Sequence, residues 1–157
     1  MRVEITLPKD RSTAGKLQAF DDAGRSALGP VNCLGRADST DAKLHGNPQR
    51  DSLRSFGDTP TGKYRIAQLV SHPHSESDVH TYGAYPAVLL DPTAGDALKA
   101  KQNGRFGLMI HGGAPSASGK LRPTHGCVRL AENDQRDLIS IVVRSLLASS
   151  TVTVTEA

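Results

Sequence analysis

The stretch that decides the fold class is Phe106-Gly107-Leu108-Met109-Ile110-His111, the strongest strand signal in the chain. Side chains alternate between the two faces of a strand, so every second residue should face the core. The residues predicted to be buried are Phe106, Leu108 and Ile110. The opposite face would carry Gly107, Met109 and His111. The stretch therefore predicts a strand that presents one polar side chain, His111, at its end.

The same alternation recurs on both sides of this stretch. Residues 3–7 alternate apolar and polar side chains, which is typical of a strand with one buried face. Further strands are predicted at Lys16–Phe20, Leu28–Leu34, Lys63–Val70, Ala87–Leu90, Cys127–Leu130 and Thr151–Thr155. The turn Asp21–Gly24 would join its two flanking strands into a hairpin, and Asp91-Pro92 would end the strand before it.

One convincing helix is predicted, over Asp134–Leu147. Its apolar stripe at helical spacing consists of Leu138, Ile139, Val142 and Leu146. Asn133 is predicted as the N-cap, and Asp134 lies where the helix dipole favours an acid. The chain is therefore predicted to be a mostly β domain with one main helix near its C-terminus.

Length and charge limit the classes of protein that fit. A chain of 157 residues suits a single domain, 1–157, and a monomer without cofactor or metal is expected. Net charge is +3, and the interval Ala97–Ala131 holds six basic residues and no acid. Positive potential around Cys127 would attract carboxylates and stabilise a thiolate. Aromatic residues make up 4% of the chain and Trp is absent, so nucleic-acid binding is not expected.

The sequence leaves the compartment open. No apolar run approaches the roughly 20 residues of a membrane span, and residues 1–8 lack the apolar segment of a signal peptide. Cys33 and Cys127 could pair in an oxidising compartment, but a nucleophilic Cys127 must be free. Cys33 is predicted to be a small buried residue in a strand.

The segment Gly35–Asp58 is predicted to be a functional loop. It is 24 residues long and has few large apolar side chains. Long loops in compact domains are usually either disordered or functional. We expect this one to border the active site.

The segment Thr124-His125-Gly126-Cys127-Val128-Arg129 carries the chemistry. A thiolate attacks carbonyl groups far better than a thiol, and His111 is predicted to be the base that removes the Cys127 proton. Gly126 lets the backbone bend, so that the N–H groups of Gly126 and Cys127 could form an oxyanion hole. The Gly112 carbonyl is one candidate acceptor for the other ring nitrogen of His111.

Zinc binding is the alternative for the same residues. His111, His125 and Cys127 are all zinc-ligand types. The chain has no CxxC or HExxH motif, however. A fourth ligand would have to come from His45, His72, His74 or His80. A metal-free site is therefore predicted.

These residues resemble the signature of the L,D-transpeptidase (YkuD-type) catalytic domain. That signature is a histidine, a spacer, Ser or Thr, His-Gly-Cys, an apolar residue, and Asn or Arg; His111 and residues 124–129 match it. Asp58–Ile66 also resembles the family's Thr-Pro-x-Gly-x-aromatic-x-Ile segment. The resemblance runs from Val3 to the C-terminus and implies a YkuD-type β-sandwich or barrel-like fold. The spacer of 12 residues is slightly shorter than the usual pattern.

The resemblance implies four catalytic residues. Cys127 would form a thioester with a peptidoglycan stem peptide. His111 would be the general base and later the acid that protonates the leaving D-amino acid. Gly126 and Cys127, together with His125, would supply N–H groups to the oxyanion.

Three further residues would bind or shape the substrate site under the same resemblance. Arg129 would contact a substrate carboxylate, Thr124 would shape the loop through its hydroxyl, and Gly112 would leave room for the substrate. An amine acceptor would give a cross-link, water would make the protein an L,D-carboxypeptidase, and a free D-amino acid would make it an exchange enzyme. A secreted wall-targeting effector and a catalytically silent wall-binding module remain alternatives. In each case the protein would act in the periplasm or cell wall.

Overall fold

The computed structural model describes residues 1–72 and 74–157. Within them the strands are β1 Arg2–Leu7, β2 Gly15–Phe20, β3 Ser26–Leu34, β4 Gly62–Val70, β5 Ala87–Ala94, β6 Met109–His111, β7 Val128–Leu130 and β8 Thr151–Glu156. In the described part of the chain they form a closed barrel in the order β1-β2-β3-β7-β6-β5-β4-β8. Strands hold 33% of the residues and helices 22%, which confirms the mostly β, barrel-like prediction.

Alternation along β1 builds the most regular part of the barrel. Val3, Ile5 and Leu7 are almost wholly buried, and the residues between them are exposed. β1 pairs antiparallel with β2 and parallel with β8. From β8, Val152 and Val154 enter the same core. The predicted hairpin of β2 and β3 is also confirmed.

Four α-helices lie outside the barrel wall in the described residues: α1 Ser39–Leu44, α2 Glu76–Tyr82, α3 Asp96–Gln102 and α4 Glu132–Val142. A 3-10 turn follows at Leu147–Ser149. Three of the helices were not predicted, because each has only six or seven residues and lacks a long apolar stripe. None of the described helices has both the length and the apolar content of a membrane span.

The main helix, α4, both begins and ends earlier in the sequence than predicted. It begins at Glu132, with Ala131 rather than Asn133 in the N-cap position and no side chain capping it. Leu138 and Val142 are buried as expected. Leu146 lies beyond the end of the helix and is 69% exposed, so its place in the apolar stripe was wrong.

The 106–111 strand is also shorter than predicted. β6 has only three residues, and the Phe106 side chain is 78% exposed instead of facing the core. The reason is Gly107, whose φ of +76° breaks the extended geometry on which the alternation depends. Arg105, one residue earlier, is buried instead, while Leu108 and Ile110 are buried as predicted.

Strand β5 is longer than predicted. It continues through Asp91 and Pro92 to Ala94. Its pairing with β4 shifts register beside the Tyr64–Pro92 pair. Such an irregularity accommodates a residue without an N–H, so the proline did not end the strand.

Candidate active site

The short parallel pair of β6 and β7 brings together the two parts of the sequence predicted to carry the chemistry. Its register aligns Ile110 with Val128 and His111 with Arg129. The apolar partners point into the core. Cys127, immediately before β7, and His111 both line one open cleft of about 550 Å³. His111 and Cys127, from two separate segments, thus meet because a parallel pair aligns the two strands.

His111 is buried and held in one orientation. Its side chain is 2% exposed, and its Nδ1 lies 2.8 Å from the Gly112 carbonyl oxygen. A carbonyl only accepts, so Nδ1 carries the proton and Nε2 keeps a lone pair. Burial lowers the pKa of His111 to about 4, so the ring is neutral at pH 7. The Tyr82 ring packs edge-on against it, with the ring centroids 5.2 Å apart. This geometry suits a proton acceptor.

Cys127 is half-buried and free, and its thiol points to the Gly107 carbonyl oxygen at 3.7 Å. Burial raises the pKa of Cys127, while a backbone hydrogen bond from Met109 and the charges of Arg105 and Arg129 lower it. The net direction is upward, so the resting group is a thiol. The positive surroundings expected from the sequence are present, but they stabilise a thiolate only against the opposing effect of burial.

Gly126 has a backbone that only glycine accommodates. Its φ is +114°, and a Cβ there would overlap the Arg105 guanidinium and the Gly57 carbonyl. The Gly126 carbonyl accepts a buried hydrogen bond of 2.7 Å from the Thr59 hydroxyl. The Thr-Pro segment and the Gly-Cys segment are therefore in direct contact, 67 residues apart in sequence.

Thr124 organises the turn that leads into Cys127. Its hydroxyl donates to the Cys127 carbonyl at 2.8 Å and accepts from the Gly126 N–H at 2.9 Å. The expected shaping contact of Thr124 is therefore present. The same contact occupies the Gly126 N–H, which in this structure points to Thr124 instead of into the cleft.

Arg129 lies beneath the cleft instead of extending into it. It is 3% exposed, and its Nη1 donates to the carbonyl oxygens of Gly112 at 2.7 Å and Thr81 at 3.1 Å. The Gly112 carbonyl thus accepts hydrogen bonds from both the His111 ring and the Arg129 guanidinium. Burial, and then the charge of Arg122, lowers the pKa of Arg129 to about 10. The arrangement couples Arg129 to the orientation of His111.

His125 occupies the opposite rim of the cleft. It is exposed, and its Nε2 lies 2.9 Å from a carboxylate oxygen of Asp41 on α1. The Phe56 ring packs against His125 at 4.9 Å and stacks on His45 at 3.7 Å. The segment Gly35–Asp58 therefore borders the cleft, as the sequence predicted.

Four residues at the site had no individual role assigned from the sequence: Thr59, Arg105, Glu132 and Gln135. The Glu132 carboxylate accepts from Gly113 N at 2.7 Å and from Ala84 N at 3.0 Å, which ties the loop after β6 to α4. Gln135 is fully buried and donates to the Ile110 and Pro86 carbonyls. Thr59 had a signal in its place in the Thr-Pro-x-Gly segment, and Arg105 was one of the six basic residues predicted to give the Cys127 region a positive potential.

Cys33 lies in β3 as a buried, free thiol. Burial raises its pKa to about 12, so it is unreactive near neutral pH. In residues 1–72 and 74–157, no three His, Cys, Asp or Glu side chains come together as metal ligands would. The histidines considered for a fourth zinc ligand therefore do not gather around His111 and Cys127.

The sequence matches the family model of the L,D-transpeptidase catalytic domain, YkuD, over residues 15–154. Among solved structures it is similar to Bd1075 of Bdellovibrio bacteriovorus, with a TM-score of 0.56 and 14% sequence identity. That likeness covers 99% of this chain and 48% of the other, so this chain spans about half the length of Bd1075. At such low identity the likeness shows a shared fold alone. No curated protein matches the sequence.

Proposed function

We propose that this chain, which belongs to the YkuD family of L,D-transpeptidase catalytic domains, transfers acyl groups of peptidoglycan stem peptides through a thioester on Cys127. The family acts on peptidoglycan. The observation that carries the proposal is the cleft shared by Cys127 and a neutral, oriented His111. A nucleophile beside a fixed base is the minimum that covalent acyl transfer requires.

In the first half-reaction, His111 Nε2 takes the thiol proton as the Cys127 sulfur attacks the carbonyl of the donor peptide. A C–S bond forms, and the carbonyl oxygen becomes an oxyanion. The oxyanion would be held by the Cys127 N–H, and by the Gly126 N–H if it turns away from Thr124. When the C–N bond breaks, His111 returns its proton to the leaving D-amino acid, and a thioester remains.

In the second half-reaction, a nucleophile attacks the thioester, His111 takes its proton, and the proton passes to the departing sulfur. Under this proposal Arg129 helps to position His111, because both side chains bind the Gly112 carbonyl. The part of Arg129 that lines the cleft wall also attracts the carboxylate of the donor peptide. Thr124 fixes the turn before the nucleophile. His125, exposed on the rim, contacts the peptide as it enters. The reaction would take place in the periplasm or cell wall.

Intact mass after incubation with a carbapenem tests the thioester step. One adduct is expected on the native protein and none on Cys127→Ala. Cys33→Ala is the matched control: it removes the other cysteine, which is buried, and should still be acylated. A folded, reduced protein that gains no mass would count heavily against the proposal.

Digestion of treated sacculi and separation of the fragments identifies the acceptor. New cross-linked dimers indicate an amine acceptor, shortened stems indicate water, and new terminal D-amino acids indicate exchange. Sacculus binding that survives Cys127→Ala, with no change in the fragments, would assign the chain to the wall-binding class instead. Expression in the periplasm and in the cytoplasm tests an effector role, and equal harmlessness in both would remove it.

A further inference from the structure

Arg105 is a buried cation next to the nucleophile segment. Its side chain is 4% exposed. It donates to the backbone carbonyls of Gly57 at 2.6 Å, Asp58 at 2.9 Å, and Ser52. The nearby Asp58 carboxylate is occupied by Arg50 and by the Ala37 N–H. Within residues 1–72 and 74–157, Arg105 makes no ion pair with a carboxylate. Burying an unpaired charge costs free energy, so a compensating anion is expected nearby.

The guanidinium packs directly against the residue before the nucleophile. A side chain at position 126 would overlap Arg105 Nη2, so the two groups are in close contact. The Thr59 hydroxyl holds the same peptide from its carbonyl side. Arg105 and Cys127 also line the same cleft. Arg105 therefore ties the 52–58 loop to the turn that presents the sulfur.

Among the charged and titratable groups around Arg105, Cys127 is the one that becomes an anion during the proposed reaction. On the loop side Arg105 faces Tyr64, Asp58 and Asp51, and burial raises the pKa of Tyr64, which keeps its hydroxyl neutral. On the cleft side Cys127 faces Arg129 and the neutral His111. Burial raises the pKa of the Cys127 thiol and lowers that of the Arg105 guanidinium, and the attraction between the two groups opposes both shifts.

We propose that Arg105 is a positioning residue for Cys127: its guanidinium fixes the turn at Gly126 and supplies positive charge to the sulfur anion formed when His111 removes the proton. The inference rests on the proposed function for its purpose, because a thiolate is needed only if Cys127 attacks a carbonyl. The fold brings this charge to the site through the bend at Gly107, which turns Arg105 inward in place of Phe106.

The pH dependence of alkylation by iodoacetamide tests this. The rate follows the thiolate fraction, and peptide mass mapping assigns the product to Cys127 separately from buried Cys33. Arg105→Met should move the midpoint of the rate profile upward by about 1 pH unit or more, since a unit charge at close range acts on this scale. Arg122→Met, which removes another arginine from the cleft wall, should leave the midpoint unchanged.

Arg105→Lys separates the effect of the positive charge from the effect of the contacts with backbone carbonyls. It keeps the cation but cannot make all the carbonyl contacts, so the melting temperature should fall while the midpoint stays within about 0.5 pH unit of the native value. A folded Arg105→Met with an unchanged midpoint would overturn the inference. So would equal shifts in the Met and Lys variants, which would assign the effect to the lost contacts. If Arg105→Met fails to fold, Arg105→Gln replaces it, because Gln also removes the charge but keeps a hydrogen-bond donor, and the same upward shift is expected.

Iodoacetamide needs no peptidoglycan, so this test is independent of the substrate. An absent carbapenem adduct together with a shifted alkylation midpoint would reject the proposed function and retain the role of Arg105. A carbapenem adduct with no shift in the alkylation midpoint would retain the proposed function and reject the role of Arg105.

Discussion

The two sides of the barrel are held together differently. Around β1 the strands pair over five residues with β2 and six with β8, and the buried side chains are apolar. Around β6 and β7 each ladder has only two pairs, and the buried side chains include His111, Arg129 and Gln135. On this side, some backbone carbonyls that a longer strand ladder would pair accept hydrogen bonds from side chains instead. We therefore expect the regular side to supply most of the stability, whereas the irregular side leaves backbone carbonyls that hold the His111 and Arg129 side chains.

Cys127→Ala should separate the two sides most sharply. Acyl transfer should fall at least about 10³-fold, because no other group at the site can form the thioester. Thermal unfolding should change little, since the contact of the sulfur with the Gly107 carbonyl oxygen is long. Turnover of a donor peptide and calorimetry on the same samples check both statements. Residual thioester formation in the variant would contradict the assignment of the nucleophile.

Ile5→Ala probes the regular side. Ile5 is 1% exposed in the centre of the β1 ladders, so its truncation should lower the free energy of unfolding by about 3 to 5 kcal/mol. The activity per folded molecule should stay close to the native value at low temperature. Ile5→Val, which removes one methylene, is the matched control and should cost about 1 kcal/mol. A large loss of specific activity in folded Ile5→Ala would break the comparison.

The irregular side should be the one that responds to mild acid. His111 has a pKa of about 4 in the folded protein, whereas the ordinary pKa of a histidine is 6.5, so only the unfolded chain gains its proton between these values. This contribution to stability is present above pH 6.5 and is lost as the pH falls towards 4, and amounts to about 3 kcal/mol. Denaturant titrations of native protein and His111→Gln measure it by difference. Parallel pH profiles for the two proteins would contradict it.

Thr59→Val tests the contact between the two sequence motifs. It keeps the shape but leaves the buried Gly126 carbonyl without its donor, which should cost about 1 to 3 kcal/mol of stability. Because that carbonyl immediately precedes Cys127, activity should fall about tenfold even when the protein is fully folded. Thr59→Ser keeps the hydroxyl and is the control; an inactive, folded Ser variant would show that the methyl group matters instead.

The regular side was predictable from sequence, and the irregular side only in part. The alternation of apolar and polar residues located β1, β2 and β8, because one face of each strand is buried and the other is more exposed to solvent. The alternation failed at Phe106, because the positive φ of Gly107 interrupts the extended backbone there. It also did not anticipate that Arg129 would bind backbone carbonyls, because the residue type alone favours an exposed charge.

The candidate site was predictable to the extent that local sequence defines it. The Cys127 turn and the His111 strand end were identified from their own segments. The contacts of Thr59 and Arg105 with Gly126 were not, because each joins segments distant in sequence and leaves no periodicity there. Short helices such as α1 were missed because six residues give too little pattern to recognise.

The position of β8 has a consequence for how the protein folds during synthesis. β8 follows every other strand in the sequence, yet it lies between β1 and β4. Pairing Arg2 with Thr151 requires contact between residues at nearly opposite ends of the chain, and such distant contacts slow folding. Until β8 leaves the ribosome, the barrel has two open edges that invite pairing with other chains. A nascent chain stalled before Thr151 should therefore bind chaperones and resist folding, even though all the proposed catalytic residues have already been made.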